Sequence, residues 1–203
     1  MFAHPKSDHL THLNALHAYG YKLANENVDM ELWCKEHMLN HTALAEIRSI
    51  RSQIVNRWEK LYPRDDLTQS YSMAKSDYAD KLCQALARGL FTNTTYNRNG
   101  EGYVTIHDNF EGLIEPHSSL VEANEEWIVY TTYRLGAKPH FDMFTAIEPE
   151  WIENMEYFQT KRMHTNYGKP KQPKVHKSLE LARQRKGVQD WSEAAESTGS
   201  SAF

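Results

Sequence analysis

With 203 residues, 40% of them hydrophobic and 25% charged, the chain has material for one ordinary domain or two small ones around a packed core. No apolar run approaches the roughly 20 residues that span a bilayer. The opening MFAHPKSDHL lacks a signal-peptide core, and the distant pair Cys34 and Cys83 fits free thiols in a reducing, intracellular compartment, nucleus or cytoplasm, better than a disulfide framework. The net charge of −4 is unevenly divided: Lys161–Lys186 carries nine Lys or Arg against one acid, Glu180, residues 187–203 carry three acids and no base, and residues 1–160 are left with −9.

In chain order, Leu10, Leu13, Leu16 and Tyr19 recur at helical spacing from Ser7 to about Ala24, with Ser7 as the expected N-cap and Asp8 in the first turn. Met30–Met38 reads as a second short helix. A third, with Thr42 as its cap, keeps the stripe Leu44, Ile47, Ile50, Ile54, Trp58, Leu61 until Pro63 stops it. Arg64–Ser72 is polar and reads as loop, and a fourth helix is expected from about Met73 to Phe91. These elements predict a small all-α bundle over residues 1–91.

The texture changes at Thr92. Asn97-Arg98-Asn99-Gly100-Glu101-Gly102 is turn chemistry. Strands are expected at Tyr103–His107, at Gly112–Ile114, over Glu126–Leu135 and over Phe141–Ile147, with a closing helix from Pro149. Short strands in so few residues suggest a barrel over 92–160. Beyond Phe158 the apolar content falls, in keeping with a polar mean hydropathy of −0.72. Residues 161–203 are expected to be a disordered tail, basic and then acidic and Ser-rich, with a proline-containing linker at Lys169–Lys174 and at most a transient basic helix over Ser178–Lys186. The fold class is therefore α+β: a helical bundle, a β-barrel and a tail.

Seven short motifs, in order, resemble one family. Ser7-Asp8-His9-Leu10-Thr11 is similar to an opening "(G/S)DHLTLLNAY". Trp33-Cys34, Met38-Leu39-Asn40, Leu44, Ile47-Arg48 and Ile54 resemble "WC…NFL…L…IRxQL". Ala85–Phe91 resembles "AL..G(F/L)(F/Y)", and Gly102–Ile106 resembles "GxYxTI". Ile114–Leu120 sits at "(I/L)HPSSxL", Trp127–Tyr130 at "WVVY", and Thr145–Ile152 at "VTxIxPEWL". Together they resemble the helicase-associated (ratchet) domain and five-stranded OB barrel of the DEAH-box RNA helicases, and the resemblance covers about residues 4–160. It departs from the family at Glu115, where a histidine is usual, and at Gly136-Ala137-Lys138, where the family has "TS(K/R)".

The resemblance implies an accessory region that forms one wall of a tunnel for single-stranded RNA, held without base specificity, and that works with two RecA-like motor domains. It also implies a docking surface for a G-patch-type regulator. The chain has neither a G-x-x-x-x-G-K-[ST] loop nor an Asp-Glu-Ala-His box, so ATP and Mg²⁺ are expected on motor domains and no catalytic residue is expected here. A chain starting just ahead of the first motif fits either a piece of a longer enzyme or a stand-alone module that binds RNA or a helicase.

Arg98 and Asn99, on an exposed barrel turn, and Lys138, on another, are candidate RNA contacts, with ordinary solvated charge as the alternative. Tyr96 and Tyr103 either stack bases or pack in the core. In the tail, Lys161, Arg162, Lys169, Lys171 and Lys174 are candidate phosphate contacts, against a solvated linker or a nuclear-import signal at Arg183–Lys186. Cys34, His37 and His41 have zinc-ligand spacing, but a helix break at Asn40–Thr42 and the lack of a fourth ligand leave no metal expected. His9 is expected to anchor the first helix through a side-chain hydrogen bond. Glu125-Glu126 and Glu148/Glu150 read as solvated acids rather than a catalytic pair.

Overall fold

A computed structural model describes the chain except residues 26, 64–74, 99, 164, 167–168, 171 and 200–203, together with side chains at 160, 165–166, 169–170 and 188–199. The expected loop Arg64–Ser72 lies outside the described residues. Two compact units emerge: residues 1–3 with 10–79, and residues 4–9 with 80–203. Among the described residues no helix is long and apolar enough to cross a membrane.

The first unit holds α1 (Asp8–Asn25, apart from its first two residues), α2 (Met30–Glu36) and α3 (His41–Leu61). Its core is Tyr19, Trp33, Cys34 and Leu44, with Leu16 and Met30 packed against them. Asp29 caps α2, accepting from the N–H groups of Glu31 and Leu32. The cap of α3 is Asn40, whose Oδ1 accepts from Ala43 N at 3.0 Å, and Thr42 stands inside the first turn instead. The apolar stripe of α3 exists as spaced, but only Leu44 is buried; Ile47, Ile50, Ile54, Trp58 and Leu61 stay exposed.

The second unit is built on a closed barrel of β1 (Thr94–Asn97), β2 (Tyr103–Thr105), β3 (Glu111–Ile114), β4 (Trp127–Arg134) and β5 (His140–Ala146), ordered β1-β2-β3-β5-β4. All pairings are antiparallel except β3 with β5, which pair in parallel at Leu113↔His140 and Ile114↔Phe141. Strand β1, Thr-Thr-Tyr-Asn, has no apolar alternation; it is held by β2 on one side and β4 on the other.

Two cores flank β4. Tyr103, Ile128, Phe141, Phe144 and Ala146, with Leu120, fill the barrel. Trp127 and Val129 leave the opposite face of β4 and meet Ala87 of α4 (Tyr78–Gly89), Ile152, Phe158, and Val175 and Leu179 of α5 (Pro173–Gly199). Burial on both faces explains the unbroken apolar run Trp127-Ile128-Val129. Phe141 and Phe144, three residues apart, reach one core because Met143 between them adopts φ 59° and interrupts the strand's alternation.

Within the segment beyond residue 160, residues 173–187 are helical and pack on the barrel, in place of the expected disorder. Val175, Leu179 and Ala182 recur at i, i+4 and i+7 and are all buried, so α5 has an apolar seam within its basic sequence. Trp127 Nε1 donates to Ser178 Oγ at 3.0 Å. Arg183 donates to the carbonyls of Glu153 and Phe158. Arg185 pairs with Glu150 at 3.0 Å, and Lys186 with the buried Glu153 at 3.1 Å. Three bases of the expected basic tail are thus engaged with acids and carbonyls of their own unit. The closing helix expected from Pro149 is a single 3-10 turn, Pro149–Trp151.

Candidate nucleic-acid interface

The turn joining β1 to β2 is set by Asn97 and two glycines. Asn97 Oδ1 accepts from Gly100 N at 2.8 Å, and its Nδ2 donates to Asn124 Oδ1 at 2.7 Å. Gly100 and Gly102 take φ 83° and 124°, the region that disfavours a Cβ. Beside the turn, a Cβ on Gly112 of β3 would stand 2.8 Å from the Phe141 ring, so the strand surface there must stay bare. Together with the β4–β5 turn these elements shape a cleft of about 280 Å³ whose rim includes Arg98, Glu101, Glu111, Ala137, Lys138 and Pro139.

A second cleft, about 410 Å³, shares Arg98 and Glu111 with the first and extends to Tyr96, Asn109 and the start of α5 at Gln172, Pro173 and Lys174. Three of the sequence candidates therefore converge: Arg98 and Lys138 on one cleft, Arg98 and Lys174 on the other. Arg98 is ion-paired with Glu111 of β3, both side chains more than half exposed. Lys161 and Arg162 line neither cleft, and Arg162 pairs with Glu156. Asn99 and Lys171 lie outside the described residues, as does the side chain of Lys169.

Tyr103 is a core residue whose hydroxyl donates to Glu125 O at 2.7 Å. Tyr96 packs edge-on against Trp127 and donates to Glu126 at 2.9 Å. Burial first, then the bond to Glu126, pushes the Tyr96 phenol up to about 12; burial likewise takes Tyr103 to about 12 and the Cys83 thiol to about 11. All three stay protonated at neutral pH and offer no nucleophile. Phe110, which no sequence signal singled out, is half exposed and stacks on Tyr133 at 5.7 Å between centroids, beside Asn109 and Glu111.

The zinc-spaced set has other partners. Cys34 is in the core, His37 Nδ1 donates to Trp33 O at 2.8 Å, and His41 Nδ1 meets the Tyr19 hydroxyl at 3.2 Å. Among the described residues no three His, Cys, Asp or Glu side chains gather as metal ligands. The acids read as solvated are in part engaged: Glu126 by Tyr96, Glu150 by Arg185, and Glu148 within 4.0 Å of Lys6.

Residues 82–156 match the family model for the oligonucleotide/oligosaccharide-binding (OB)-fold, OB_NTP_bind. Over 176 residues the chain is 30% identical to the Probable ATP-dependent RNA helicase DHX35 of Homo sapiens, an alignment covering 86% of this chain and 23% of that relative. The barrel unit is thus similar to the OB-fold region of the DEAH-type RNA helicases. It spans about a quarter of the curated relative's length.

In this OB region the most recognisable motifs meet at one polar cluster. The carboxylate of Asp8, 8% exposed, accepts from Ser118 Oγ (2.7 Å), Ser119 Oγ (2.9 Å), Ser119 N (3.0 Å) and Phe144 N (3.1 Å). Ser7 Oγ meets Thr145 Oγ1 at 2.7 Å. His9 lies 2.8 Å from Thr145 Oγ1 through Nδ1 and 2.8 Å from Thr131 Oγ1 through Nε2. The backbone joins in: Ala146 N donates to Lys6 O at 2.8 Å, and Ser7 and Thr145 form an antiparallel bridge. Ser7-Asp8-His9 thus ties the segment entering α1 to the barrel, and Ser7 spends its hydroxyl on Thr145 rather than solely on a helix end. Ser118 and Ser119 lie in the stretch Ile114–Leu120, so motifs 110 positions apart form one hydrogen-bonded structure.

Proposed function

We propose that this barrel holds single-stranded RNA across the face bounded by the β1–β2 and β4–β5 turns, as the accessory part of an ATP-dependent RNA helicase. The observation that carries the reading is the convergence of Arg98, Lys138 and Lys174 on two adjoining clefts at the OB ligand face. The unit's net acidity does not oppose it: Arg183, Arg185 and Lys186 engage acids and carbonyls on α5's own side. Contacts go to phosphates, with the exposed Phe110 ring available for sequence-tolerant stacking. Lys161, Arg162, Lys169 and Lys171 extend the basic strip in sequence.

In the whole enzyme the partners are two RecA-like motor domains, against which the face forms a tunnel wall, and a G-patch-type regulator, in a nuclear or cytoplasmic compartment. The 203 residues contain no phosphate loop, and ATP and Mg²⁺ belong to the motor domains in this reading.

The Arg98–Glu111 pair makes the reading testable. A phosphate reaching Arg98 competes with the Glu111 carboxylate, and Glu111 adds its own repulsion. Glu111→Gln should therefore strengthen binding of a labelled oligouridylate, by about 2–5-fold at low salt, the scale of an exposed charge pair. Lys138→Ala should weaken it to a similar degree. Fluorescence anisotropy on the full chain reads both, and the face is excluded if neither substitution moves the affinity.

A further inference from the structure

The cleft at the foot of α5 differs in chemistry from its neighbour. Its volume of about 410 Å³ lies within the roughly 300–1,000 Å³ common for small-molecule sites. One wall is aromatic and held still: the Tyr96 ring is fixed edge-on by Trp127 and by its bond to Glu126. Pro173 and the buried Val175 add an apolar side. Arg98, ion-paired with Glu111 in the same lining, and Lys174 supply two cations against one acid.

Two amides complete it, and both are locked. Gln172 Nε2 donates to Asn109 Oδ1 at 2.8 Å and to Thr105 O at 3.1 Å, which fixes which end of the amide is nitrogen. Asn109 Nδ2 donates to His107 O at 3.0 Å, from a residue at φ 57°. Gln172 Oε1 is shielded from solvent and has no donor among the described residues. A buried acceptor left unmet is unfavourable, and a donor group inserted beside it relieves that cost.

An aromatic wall, an amide oxygen without a donor among the described residues and two cations at one lining suit the face of a base, its edge and the adjoining phosphate. We propose that this cleft is a nucleotide compartment: it takes one base of the bound strand against Tyr96 and Pro173, edge toward the Asn109 and Gln172 amides, with the adjoining phosphate between Arg98 and Lys174. The proposal rests on the strand-binding reading above and adds a base-reading position to it. Arg98 and Glu111 line both clefts, so the two adjoin at this ion pair. Four of the nine lining residues, Gln172 to Val175, lie beyond the residues matched by the OB family model. The post-barrel segment therefore gives this barrel a feature outside its family's matched region.

Nuclear magnetic resonance on the full chain tests it, with adenosine, cytidine, guanosine and uridine 5′-monophosphates as probes, and ribose 5-phosphate and oligouridylate as references. At least one monophosphate should shift the side-chain amide signals of Asn109 and Gln172, and Lys174→Ala should weaken that binding threefold or more. If ribose 5-phosphate gives the same shifts, the cleft holds an anion only and the base-reading role is overturned. If no monophosphate moves those amides while oligouridylate still shifts the two barrel turns, the compartment is overturned and the strand-binding face stands. If oligouridylate shifts nothing, the strand-binding face falls, and the monophosphates alone decide the compartment.

Discussion

Leu179→Ala, a substitution in the segment whose composition suggests disorder, should lower the stability of the barrel unit by about 2–5 kcal/mol, the cost of emptying a well-packed core position. Leu179 is 1% exposed and lies in the core that covers Trp127 and Val129. The internal control is two residues away: Leu181 is 43% exposed, and Leu181→Ala should stay within about 0.5 kcal/mol of the parent. Urea titrations followed by circular dichroism compare the two. Equal, small effects would mean that α5 is not part of the folded unit. The same packing changes how the basic segment should be tested. Truncation at residue 160 would strip Val175, Leu179 and Ala182 from the core. A loss of RNA binding would then report unfolding rather than lost charge, so single charge substitutions are the cleaner probe.

Asp8→Ala should cost about 3 kcal/mol or more. Hydrogen bonds to a charged group contribute about 1.5–3 kcal/mol each, and donors left unpaired in a buried site add their desolvation. Asp8 receives four such bonds, so even with strong non-additivity the loss should exceed that of a helix-end residue. Asp8 also begins α1, and a role limited to capping or to the helix dipole is worth about 0.5–2 kcal/mol. The size of the effect therefore decides between the two roles: a loss within about 2 kcal/mol assigns Asp8 to the helix end, and one of about 3 kcal/mol or more to the barrel. Asp8→Asn keeps an acceptor for some donors and should fall between.

Much of this fold was legible because its strands alternate or carry unbroken apolar runs. β2 to β5 fall within a residue or two of where Tyr103–His107, Gly112–Ile114, Glu126–Leu135 and Phe141–Ile147 placed them. β1 was not legible: Thr94–Asn97 is polar and owes its conformation to partners on both sides. α5 was hidden by composition, because its buried residues Val175, Leu179 and Ala182 are diluted among lysines and arginines. The choice of Thr42 over Asn40 as a cap reflects how little separates two capping residues two positions apart until the helix start is seen.

The candidate site divides in the same way. Arg98 and Lys138 were legible because turn chemistry places them on loops of a small barrel. Their convergence on one cleft was not, since it depends on which turns the barrel brings together. Glu111, Asn109 and Gln172 carried no signal at all; each gains meaning only through a neighbour distant in sequence. The family motifs marked Asp8 and the stretch Ile114–Leu120, and only the fold shows that one carboxylate binds both Ser118 and Ser119.

The most direct test of RNA binding at this face is the salt dependence of oligouridylate affinity for the parent chain and for the double variant Arg98→Glu/Lys138→Glu, with circular dichroism confirming that both fold. Each phosphate contact to a single strand contributes about −0.7 to the slope of log affinity against log salt, so removing two should flatten the slope by about 1.4. The account predicts that flattening together with at least a tenfold loss of affinity at low salt. An unchanged slope and affinity in a folded double variant would place the RNA elsewhere on the chain and contradict the account.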